Sequence, residues 1–373
     1  MTARKKTVLF ITGTRAEWGF MQSAVLRLSK SPFIKVKVLV TGMHTQRRFG
    51  YTLSEVRKAI HVDHVVPVQD YDDQMTALGK EVDGIGRYLK RHPADALLVV
   101  GDRDEAFAGS TAGVHLGIPV IHVSGGDVSG PIVDQYLRNA ITCFSRVHLV
   151  QTSQSRENVL ALGADPRLAK IVGSAGLDGL TASSLMRRKD VARHLGLDPD
   201  QRWFLVLMHP TILDNAPIPR QIQSVLQALR TLRPNDEKII LYPNADEGSD
   251  SFIRAIEKTR GTHHYHLLRH LPRMEFLSLM HASAALIGNS SSGLVEAGHL
   301  RVPFVHIGNR QQHREHGSNV LFSGYDADAI VQTIDKVLSP AFRRKMLKHP
   351  SPYRGGAVAA RMIQTVEQFV QSL

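Results

Sequence analysis

Short apolar runs that end at a glycine or a polar turn and continue into a helical pattern recur along this chain. The first run is Lys6–Thr12, which is followed by Gly13 and by a helical stretch from about Trp18 to Ser29. Buried strands that alternate with helices are typical of parallel sheets, where ligands bind at the carboxyl ends of the strands. The first turn is not Gly-x-Gly-x-x-Gly, so a dinucleotide is not implied.

The alternation of strands and helices occurs twice, on either side of a polar, charged stretch from Ser184 to Asp200. Further strands are predicted at Ile34–Val40, Ala96–Val100, Pro119–Val123, Val147–Thr152, Trp203–Met208, Lys238–Tyr242, Tyr265–Leu268, Ala284–Ile287 and Pro303–Ile307. A chain of 373 residues is also long for a single core. We therefore predict two doubly wound α/β domains with a cleft between them, over residues 1–182 and 183–355. An amphipathic helix at 356–373 is expected to return to the first domain.

The formal net charge of +12 raises the possibility of nucleic-acid binding. The basic residues are scattered, however, and short clusters such as Arg187–Lys189 lack interleaved aromatic residues. An anionic nucleotide substrate explains the charge more simply, and no nucleic-acid partner is expected. The sequence has no apolar run of about 18 residues and no signal-peptide pattern, so we expect a cytoplasmic protein without a membrane partner.

Cysteine and histidine usage argues against a metal centre. Cys143 is the single cysteine, which excludes disulfides and cysteine-rich metal sites, and we expect it to be a buried apolar residue. The 19 histidines show no His-Glu-x-x-His or comparable spacing. The sequence therefore predicts no metal and no other cofactor.

The stretch Ala284–Glu296 predicts an anion site. A strand ends at Gly288 and Asn289, and three serines, residues 290–292, can then cap a helix that runs to about His299. A helix N-terminus presents free N–H groups and a positive dipole end to an anion. Glu296 could accept two hydroxyls of a ribose. The alternative is an ordinary capped helix.

Charged residues follow two strands of the first half. Asp102 and Arg103 come directly after the strand at Ala96–Val100, and the acids at 104 and 105 are explained equally well by a helix N-terminus. Arg15, in the first turn, could contact a phosphate or could be a surface arginine. All of these positions belong to the strand ends where an open α/β sheet places its active site.

The glycine-rich run Ser124–Gly130 follows the strand at Pro119–Val123, with His122 and Asp127 on either side of the turn. Glycine lets backbone approach a ligand closely. Asp134 and Arg138 are four residues apart on the next helix and share a face. They could belong to the site or form a surface ion pair.

Eight short motifs together give the chain a family resemblance. They are Gly13–Glu17, Gly101–Glu105, Gly125–Gly130, Leu137–Thr142, His209-Pro210, Pro243-Asn244, Gly288–Gly293 and Gly308–Gln311. The set covers nearly the whole chain and resembles the hydrolysing UDP-N-acetylglucosamine 2-epimerases of sialic-acid biosynthesis. That resemblance implies a GT-B-like fold with two Rossmann-like domains. It also implies that a UDP-sugar and water give UDP and the free 2-epimeric sugar.

The resemblance implies a mechanism in which the C2 proton is removed, UDP leaves C1, and water adds to the resulting glycal. Asp102, Asp127 and Asp134 are then the candidate acid–base carboxylates, and His209 stabilises the leaving phosphate or moves a proton. The implied substrate-binding residues are Arg15, Arg103, His122, Arg138, Ser174, Asn244, Ser290, Ser291, Gly293, Glu296 and Arg310. A homodimer or homotetramer is also implied.

Departures from the family pattern leave alternatives open. Ser124 stands where animal enzymes and non-hydrolysing relatives have a glutamate, and Asn139 stands where many members have histidine. A related branch acts on UDP-2,4-diacetamido sugars or a GDP-linked sugar on the way to legionaminic acid. A GT-B glycosyltransferase, a non-hydrolysing epimerase and a binding protein without turnover are the remaining alternatives.

Overall fold

The chain forms two compact units. The computed structural model describes residues 4–128, 133–232, 234–243, 247–349 and 351–373. Residues 4–127, 133–179 and 355–373 belong to the first unit, and the described part of 180–354 belongs to the second.

A parallel sheet forms the centre of the first unit. In the order of the described chain its strands are β1 (Lys6–Thr12), β2 (Ile34–Val40), β3 (His64–Val65), β4 (Ala96–Val100), β5 (Val120–Val123), β6 (Val147–Val150) and β7 (Ala169–Ile171). Their order across the sheet is β3-β2-β1-β4-β5-β6-β7, with every pair parallel. The chain order reverses between β1 and β4, and doubly wound sheets bind ligands at this switch point.

Helices cover both faces of the first sheet. Those formed by the described residues are α1 (Arg15–Leu28), α2 (Leu53–Ala59), α3 (Gln74–Arg91), α4 (Asp104–Leu116), α5 (Val133–Phe144), α6 (Ser153–Ala161) and, from the end of the chain, α14 (Val358–Gln371). Alternate β1 residues point to opposite faces. Val8 and Phe10 pack in the layer that contains α1 and α14, whereas Leu9 and Ile11 pack in the layer that contains α3 and α4.

The second unit repeats this architecture. Its described strands are β8 (Trp203–Leu207), β9 (Glu237–Leu241), β10 (Tyr265–Leu268), β11 (Ala285–Gly288), β12 (Phe304–Ile307) and β13 (Val320–Ser323). They pair in parallel in the order β10-β9-β8-β11-β12-β13, so the switch point lies between β8 and β11. The strands are rich in Val, Ile, Leu and Phe because both faces of the sheet are buried.

The helices of the second unit begin at recognisable sequence signals. In the described residues they are α7 (Arg188–Leu195), α8 (Ile218–Arg230), α9 (Ser249–Glu257), α10 (Arg273–Ala282), α11 (Glu296–His299), α12 (Ala327–Leu338) and α13 (Pro340–Lys348). Asp326 caps α12 by accepting from the N–H of Ala329, and Ser339 caps α13 by accepting from that of Phe342. Such caps satisfy N–H groups that have no partner within the helix.

Most predicted strands are found within one or two residues of their expected bounds, and β1, β2, β4 and β10 match them. The short edge strands β3 and β13 were not predicted. α1 begins at Arg15, three residues before its predicted start, so Arg15 lies in the first helical turn rather than in the preceding loop.

Two expectations about exposure and membranes can be compared with the fold. Cys143 is exposed on α5, so the prediction of a buried residue is wrong. The apolar side of α5 is instead supplied by residues such as Ile141. None of the helices formed by the described residues has the length and hydropathy needed to cross a bilayer.

Candidate active site

At the switch point of the first sheet, Arg138 joins two of the predicted carboxylate residues. Asp102 lies just beyond the end of β4, and its carboxylate forms an ion pair with the guanidinium of Arg138 from α5. The same guanidinium donates from Nη1 to the backbone oxygen of Asp127, at 2.8 Å. Because Arg138 is buried and bonds both segments, it fixes the end of β4 relative to the loop after β5.

The carboxylate of Asp127 is held at both oxygens. Ser155 donates its hydroxyl to Oδ1 at 2.7 Å, and the amide of Gln151 donates to Oδ2 at 3.0 Å. The residue is buried. Two donors aimed at one carboxylate fix its orientation. The side chain of Asp127 is therefore held rigidly within the first unit.

His122 lies behind these groups. Its Nε2 donates to the backbone oxygen of Gly101 at 2.7 Å, and its Nδ1 is 3.3 Å from the hydroxyl of Thr142. Burial lowers the pKa of His122 to about 3, so the ring is neutral. The side chain is fully buried and both nitrogens are engaged. Direct substrate contact by His122, as predicted, does not fit this geometry, whereas positioning of Gly101 and Asp102 does.

Ser124 has an unusual conformation at the end of β5. Its φ is +65°, in the left-handed region that serine seldom adopts. Its buried hydroxyl forms no hydrogen bond within the described residues. Strained backbone and unsatisfied polar groups concentrate at functional sites. This conformation adds to the reasons for placing the site at the ends of β4 and β5.

The two arginines predicted to bind substrate lie at helix starts. Arg15 forms an ion pair of 2.9 Å with Glu55, and both side chains remain partly exposed. Arg103 is the residue before α4, and its Nε lies 3.8 Å from Oε1 of Glu105. A partly exposed pair is weak in water, so Arg15 could exchange Glu55 for a phosphate. Glu105 is buried, and the guanidinium of Arg103 beside it is partly exposed.

At the switch point of the second sheet, Asn289 clamps the residue that follows β8. Its side-chain oxygen accepts from the N–H of His209, and its side-chain nitrogen donates to the carbonyl of His209, both at 2.8 Å. Gln221 holds Thr211 by the same two bonds. Its side-chain oxygen accepts from the N–H of Thr211 at 3.0 Å, and its side-chain nitrogen donates to the carbonyl of Thr211 at 2.9 Å. The backbone around His209 is thus fixed by two buried amide side chains.

The predicted helix after the serine run is only partly present. Residues Ser291–Gly293 form a 3-10 turn, and the helix α11 begins at Glu296 and has four residues. The prediction of one capped helix from the serines to His299 is therefore wrong. The hydroxyl of Ser290 still accepts from the N–H of Ser292, at 3.4 Å. A helix this short supplies little dipole, so any anion held here depends on hydroxyls and free N–H groups.

Glu296 and Arg310 are both buried. The carboxylate of Glu296 lies 3.4 Å from the guanidinium of Arg273 on α10. Arg310 follows β12 after Gly308, whose φ is +75°. A side chain at residue 308 would overlap the hydroxyl of Tyr325. The glycine therefore lets this turn pack closely before Arg310.

The remaining predicted positions are dispersed. Asp134 lies half-buried in the first turn of α5. Ser174 is fully buried before a 3-10 turn at Ala175–Leu177, and its hydroxyl has no hydrogen bond among the residues described. The ring of Phe304 packs directly against Gly293. Asn244 lies outside the described residues.

Sequence reasoning missed the residues that support the site. Asn289 appeared only as a strand breaker, and Gln151 and Ser155 were not singled out. Their position just after the ends of β11 and β6 is a signal that could have identified them. No group of three or more His, Cys, Asp or Glu side chains in the described ranges is arranged to hold a metal ion.

Comparison with known proteins identifies the family. The model of the UDP-N-acetylglucosamine 2-epimerase family matches residues 26–367, which is most of the chain. The chain belongs to this family. The predicted resemblance is therefore confirmed, and the protein is an enzyme of the UDP-N-acetylglucosamine 2-epimerase family.

Curated relatives of this family align over nearly the whole chain. A UDP-N,N'-diacetylbacillosamine 2-epimerase (hydrolyzing) of Legionella pneumophila is 31% identical over 97% of this chain and 96% of its own length. The polysialic acid biosynthesis protein P7 of Escherichia coli is 27% identical over 98% and 95%. A GDP/UDP-N,N'-diacetylbacillosamine 2-epimerase (hydrolyzing) of Campylobacter jejuni is 25% identical over 91% and 89%.

Solved structures confirm the fold class. The UDP-GlcNAc 2-epimerase of Neisseria meningitidis, solved with UDP-GlcNAc, has a TM-score of 0.84 at 20% identity and covers 97% of this chain and 100% of its own. The enzyme from Methanocaldococcus jannaschii, solved with UDP-GlcNAc and UDP, has a TM-score of 0.82 at 17% identity, over 97% and 99%. The predicted GT-B-like class with two Rossmann-like domains is therefore confirmed.

Proposed function

We propose that this family member is a hydrolysing nucleotide-sugar 2-epimerase, which converts UDP-N-acetylglucosamine and water to N-acetylmannosamine and UDP. The observation that carries the proposal is the Asp102–Arg138–Asp127 assembly at the switch point of the first sheet. It holds the carboxylate of Asp102 and the backbone of Asp127 together where an α/β sheet binds its ligand. Relatives whose names state hydrolysis cover 97% and 91% of the chain.

The chemistry needs a base for the C2 proton and a proton donor for the later steps. Asp102 is the candidate base, because its ion pair with Arg138 keeps it as a carboxylate. Asp127 is held by Ser155 and Gln151 at both oxygens, so neither oxygen is placed to pass a proton to the substrate. Asp134, half-buried in the next helix, is then available to exchange a proton with the glycal or with water.

The departing UDP requires cationic and N–H groups. Arg15 and Arg310 are the proposed cations, and Ser290 and Ser291 the proposed hydroxyl donors in the second unit. Glu296 is proposed to accept from the ribose hydroxyls. His209, whose backbone is fixed by Asn289, is proposed to stabilise the leaving phosphate. No cofactor takes part in this scheme.

A 2,4-diacetamido sugar is the second candidate substrate. The 31% identical relative from Legionella is named for UDP-N,N'-diacetylbacillosamine, and the Campylobacter relative is named for both GDP- and UDP-linked forms. Ser124 is smaller than the glutamate of other family branches. A smaller side chain at the end of β5 leaves more room for an extra acetamido group.

An NMR time course in heavy water tests the proposal. Purified protein is incubated with UDP-N-acetylglucosamine, and separately with UDP- and GDP-linked diacetamido sugars. We expect UDP or GDP together with a free 2-epimeric sugar that carries deuterium at C2. The Asp102→Asn variant is the matched control and is expected to release no nucleotide above background.

The outcomes separate the alternatives. A product that remains linked to UDP would identify a non-hydrolysing epimerase, and turnover that requires an acceptor would identify a glycosyltransferase. Absence of nucleotide release from every substrate would refute the proposal. We also propose that the protein is a cytoplasmic homo-oligomer. Light scattering of the purified protein tests the oligomeric state.

A further inference from the structure

Three carboxyl groups with buried oxygens surround the turn after β1, and of these residues Glu17 is half-buried. Glu17 comes from α1, Glu81 from α3 and Glu105 from α4. Glu81 is 2% exposed and Glu105 is 4% exposed. Each of the three has one buried oxygen that receives no hydrogen bond from an N–H or O–H group of the described residues. Buried, unsatisfied carboxylates are costly, so some feature of the cluster must compensate for them.

Glu17 and Glu105 both lie against Gly13. Oε2 of Glu17 accepts from the N–H of Gly13 at 3.1 Å. A side chain at residue 13 would overlap the carboxyl group of Glu105. Both carboxyl groups therefore lie against the same glycine, and each has a buried oxygen without a donor among the described residues. Two buried carboxylates side by side repel each other when both are ionised, and a hydrogen bond between them requires a proton.

Helix capping explains only part of this arrangement. Thr14 caps α1 by accepting from the N–H of Glu17, at 3.2 Å. A capping glutamate normally stays solvated and ionised at a helix start. Burial and the neighbouring charge of Glu105 instead raise the pKa of Glu17, and burial raises that of Glu105.

The charged groups around Glu17 and Glu105 do not compensate for two ionised carboxylates. Arg103, at the end of β4, reaches Glu105 at 3.8 Å. Glu81 receives a hydrogen bond of 3.2 Å from Thr41 and adds a further acidic group, as does Asp104 on α4. His44, whose N–H bonds the oxygen of Gly13, is buried, and burial lowers its pKa to about 4, so its ring is neutral. The charge of Arg103 lowers the pKa of all three glutamates, but their burial outweighs it.

We propose that Glu17 and Glu105 share one proton, and that this carboxyl pair positions the Gly13–Arg15 turn for the anionic part of the ligand. Glu17 is then a positioning residue for the reaction, and it acts through Gly13 and Arg15. The second part rests on the proposed function, which assigns Arg15 to the phosphates. If both acids were ionised, they would repel each other and add negative charge beside the phosphate-binding arginines.

Titration with UDP tests the positioning role without turnover. Glu17→Gln has the shape of the protonated acid, keeps an oxygen for Gly13 and donates an N–H to Glu105. We expect calorimetry to give a UDP Kd within about threefold of wild type for this variant, and about tenfold weaker binding for Glu17→Ala. Glu157→Gln, at an exposed position on α6, is the matched control.

The pH dependence of unfolding tests the shared proton directly. The native pair keeps a proton that the unfolded chain loses above the ordinary glutamate pKa, so the unfolding equilibrium constant should rise with pH by up to about tenfold per unit. Urea unfolding between about pH 7 and about pH 8, above the ordinary histidine pKa, should show this dependence in the wild type and in Glu157→Gln. In Glu17→Gln and Glu105→Gln, the slope of the unfolding free energy against pH should be smaller by the equivalent of about one proton.

Two results would overturn the proposal. Equal pH slopes for wild type and Glu17→Gln would show that no proton is shared, whether or not Glu17→Ala folds. UDP binding by Glu17→Gln that is as weak as that of the alanine variant would show that an ionised carboxylate is required. A wild type that binds UDP but releases none from any nucleotide sugar would refute the proposed function and leave the carboxyl pair intact.

Discussion

The side-chain amide of Asn289 bonds both the N–H and the carbonyl of His209, at 2.8 Å each. Asn289 follows β11 and His209 follows β8, so the clamp joins the two strands at the switch point of the second sheet. Asn289 is fully buried, and neither backbone group of His209 depends on water for a partner. The amide therefore fixes a candidate catalytic residue through its backbone.

Replacing Asn289 by aspartate should disrupt this clamp. The carboxylate can accept from the N–H of His209 but cannot donate to its carbonyl, and it adds a buried charge. We expect a loss of about 1–3 kcal/mol in the free energy of unfolding, measured with urea, together with weaker UDP binding in calorimetry. Asn215→Ala, at an exposed position after β8, should change neither quantity. Unchanged stability in Asn289→Asp would show that the clamp is dispensable.

Gly288 is the second restraint at the same place. Its φ is +144°, and a side chain there would overlap the backbone oxygen of Leu207 on the neighbouring strand. Gly288→Ala should therefore cost about 3 kcal/mol or more, or prevent folding. Gly79→Ala is the contrasting control, because Gly79 lies exposed in α3 with open space around it. There, alanine should stabilise the protein by about 0.5–1 kcal/mol in the same urea measurement.

The sheets could be predicted because each central strand is a run of apolar residues bounded by a glycine or a polar turn. β2 and β4 match their predicted bounds, and the residues placed at strand ends, such as Asp102 and His209, do lie at switch points. The edge strands β3 and β13 carry weaker signals. β3 has two residues, and the apolar run of β13 has only three, Val320–Phe322.

What the sequence could not show is how polar side chains pair at a distance. Glu105 fits a helix start equally well whether its carboxyl is solvated or buried against Glu17, 88 positions earlier in the chain. The serines after Asn289 have the composition of a helix cap, yet the chain forms a 3-10 turn there. Local preferences leave such choices open, and tertiary packing decides them.

Arg138→Lys should separate positioning from charge in the first unit. Lysine keeps the positive charge but cannot bond Asp102 and the carbonyl of Asp127 at the same time. We expect kcat for nucleotide release to fall about 10- to 100-fold, because the candidate base is displaced, while the Kd for UDP stays within about twofold. Arg146→Lys, at an exposed position, is the control. An unchanged kcat would exclude Arg138 from the active site.

The stability of the protein should decrease in acid because four histidines are buried and neutral. Burial lowers the pKa of His122 and His306 to about 3, and that of His44 and His148 to about 4. Below the ordinary histidine pKa of about 6.5, these rings become protonated in the unfolded chain but stay neutral in the native protein. Each ring then lowers the free energy of unfolding by about 1.4 kcal/mol per pH unit.

By about pH 5 the four histidines together lower the free energy of unfolding by about 8 kcal/mol. The protons that the buried glutamates retain offset part of this loss. Total stabilities are about 5–15 kcal/mol, so we expect unfolding to begin near pH 5. His306→Phe is the informative variant, because neither ring nitrogen of His306 has a hydrogen-bond partner among the described residues and Phe304 and Phe322 pack beside it. Urea unfolding from about pH 7 to about pH 5 gives the slope of the unfolding free energy against pH. This slope should be smaller by the equivalent of about one proton in His306→Phe and unchanged in His115→Gln, at an exposed position. A wild-type stability that is constant over this range would contradict the neutral, buried state of these rings.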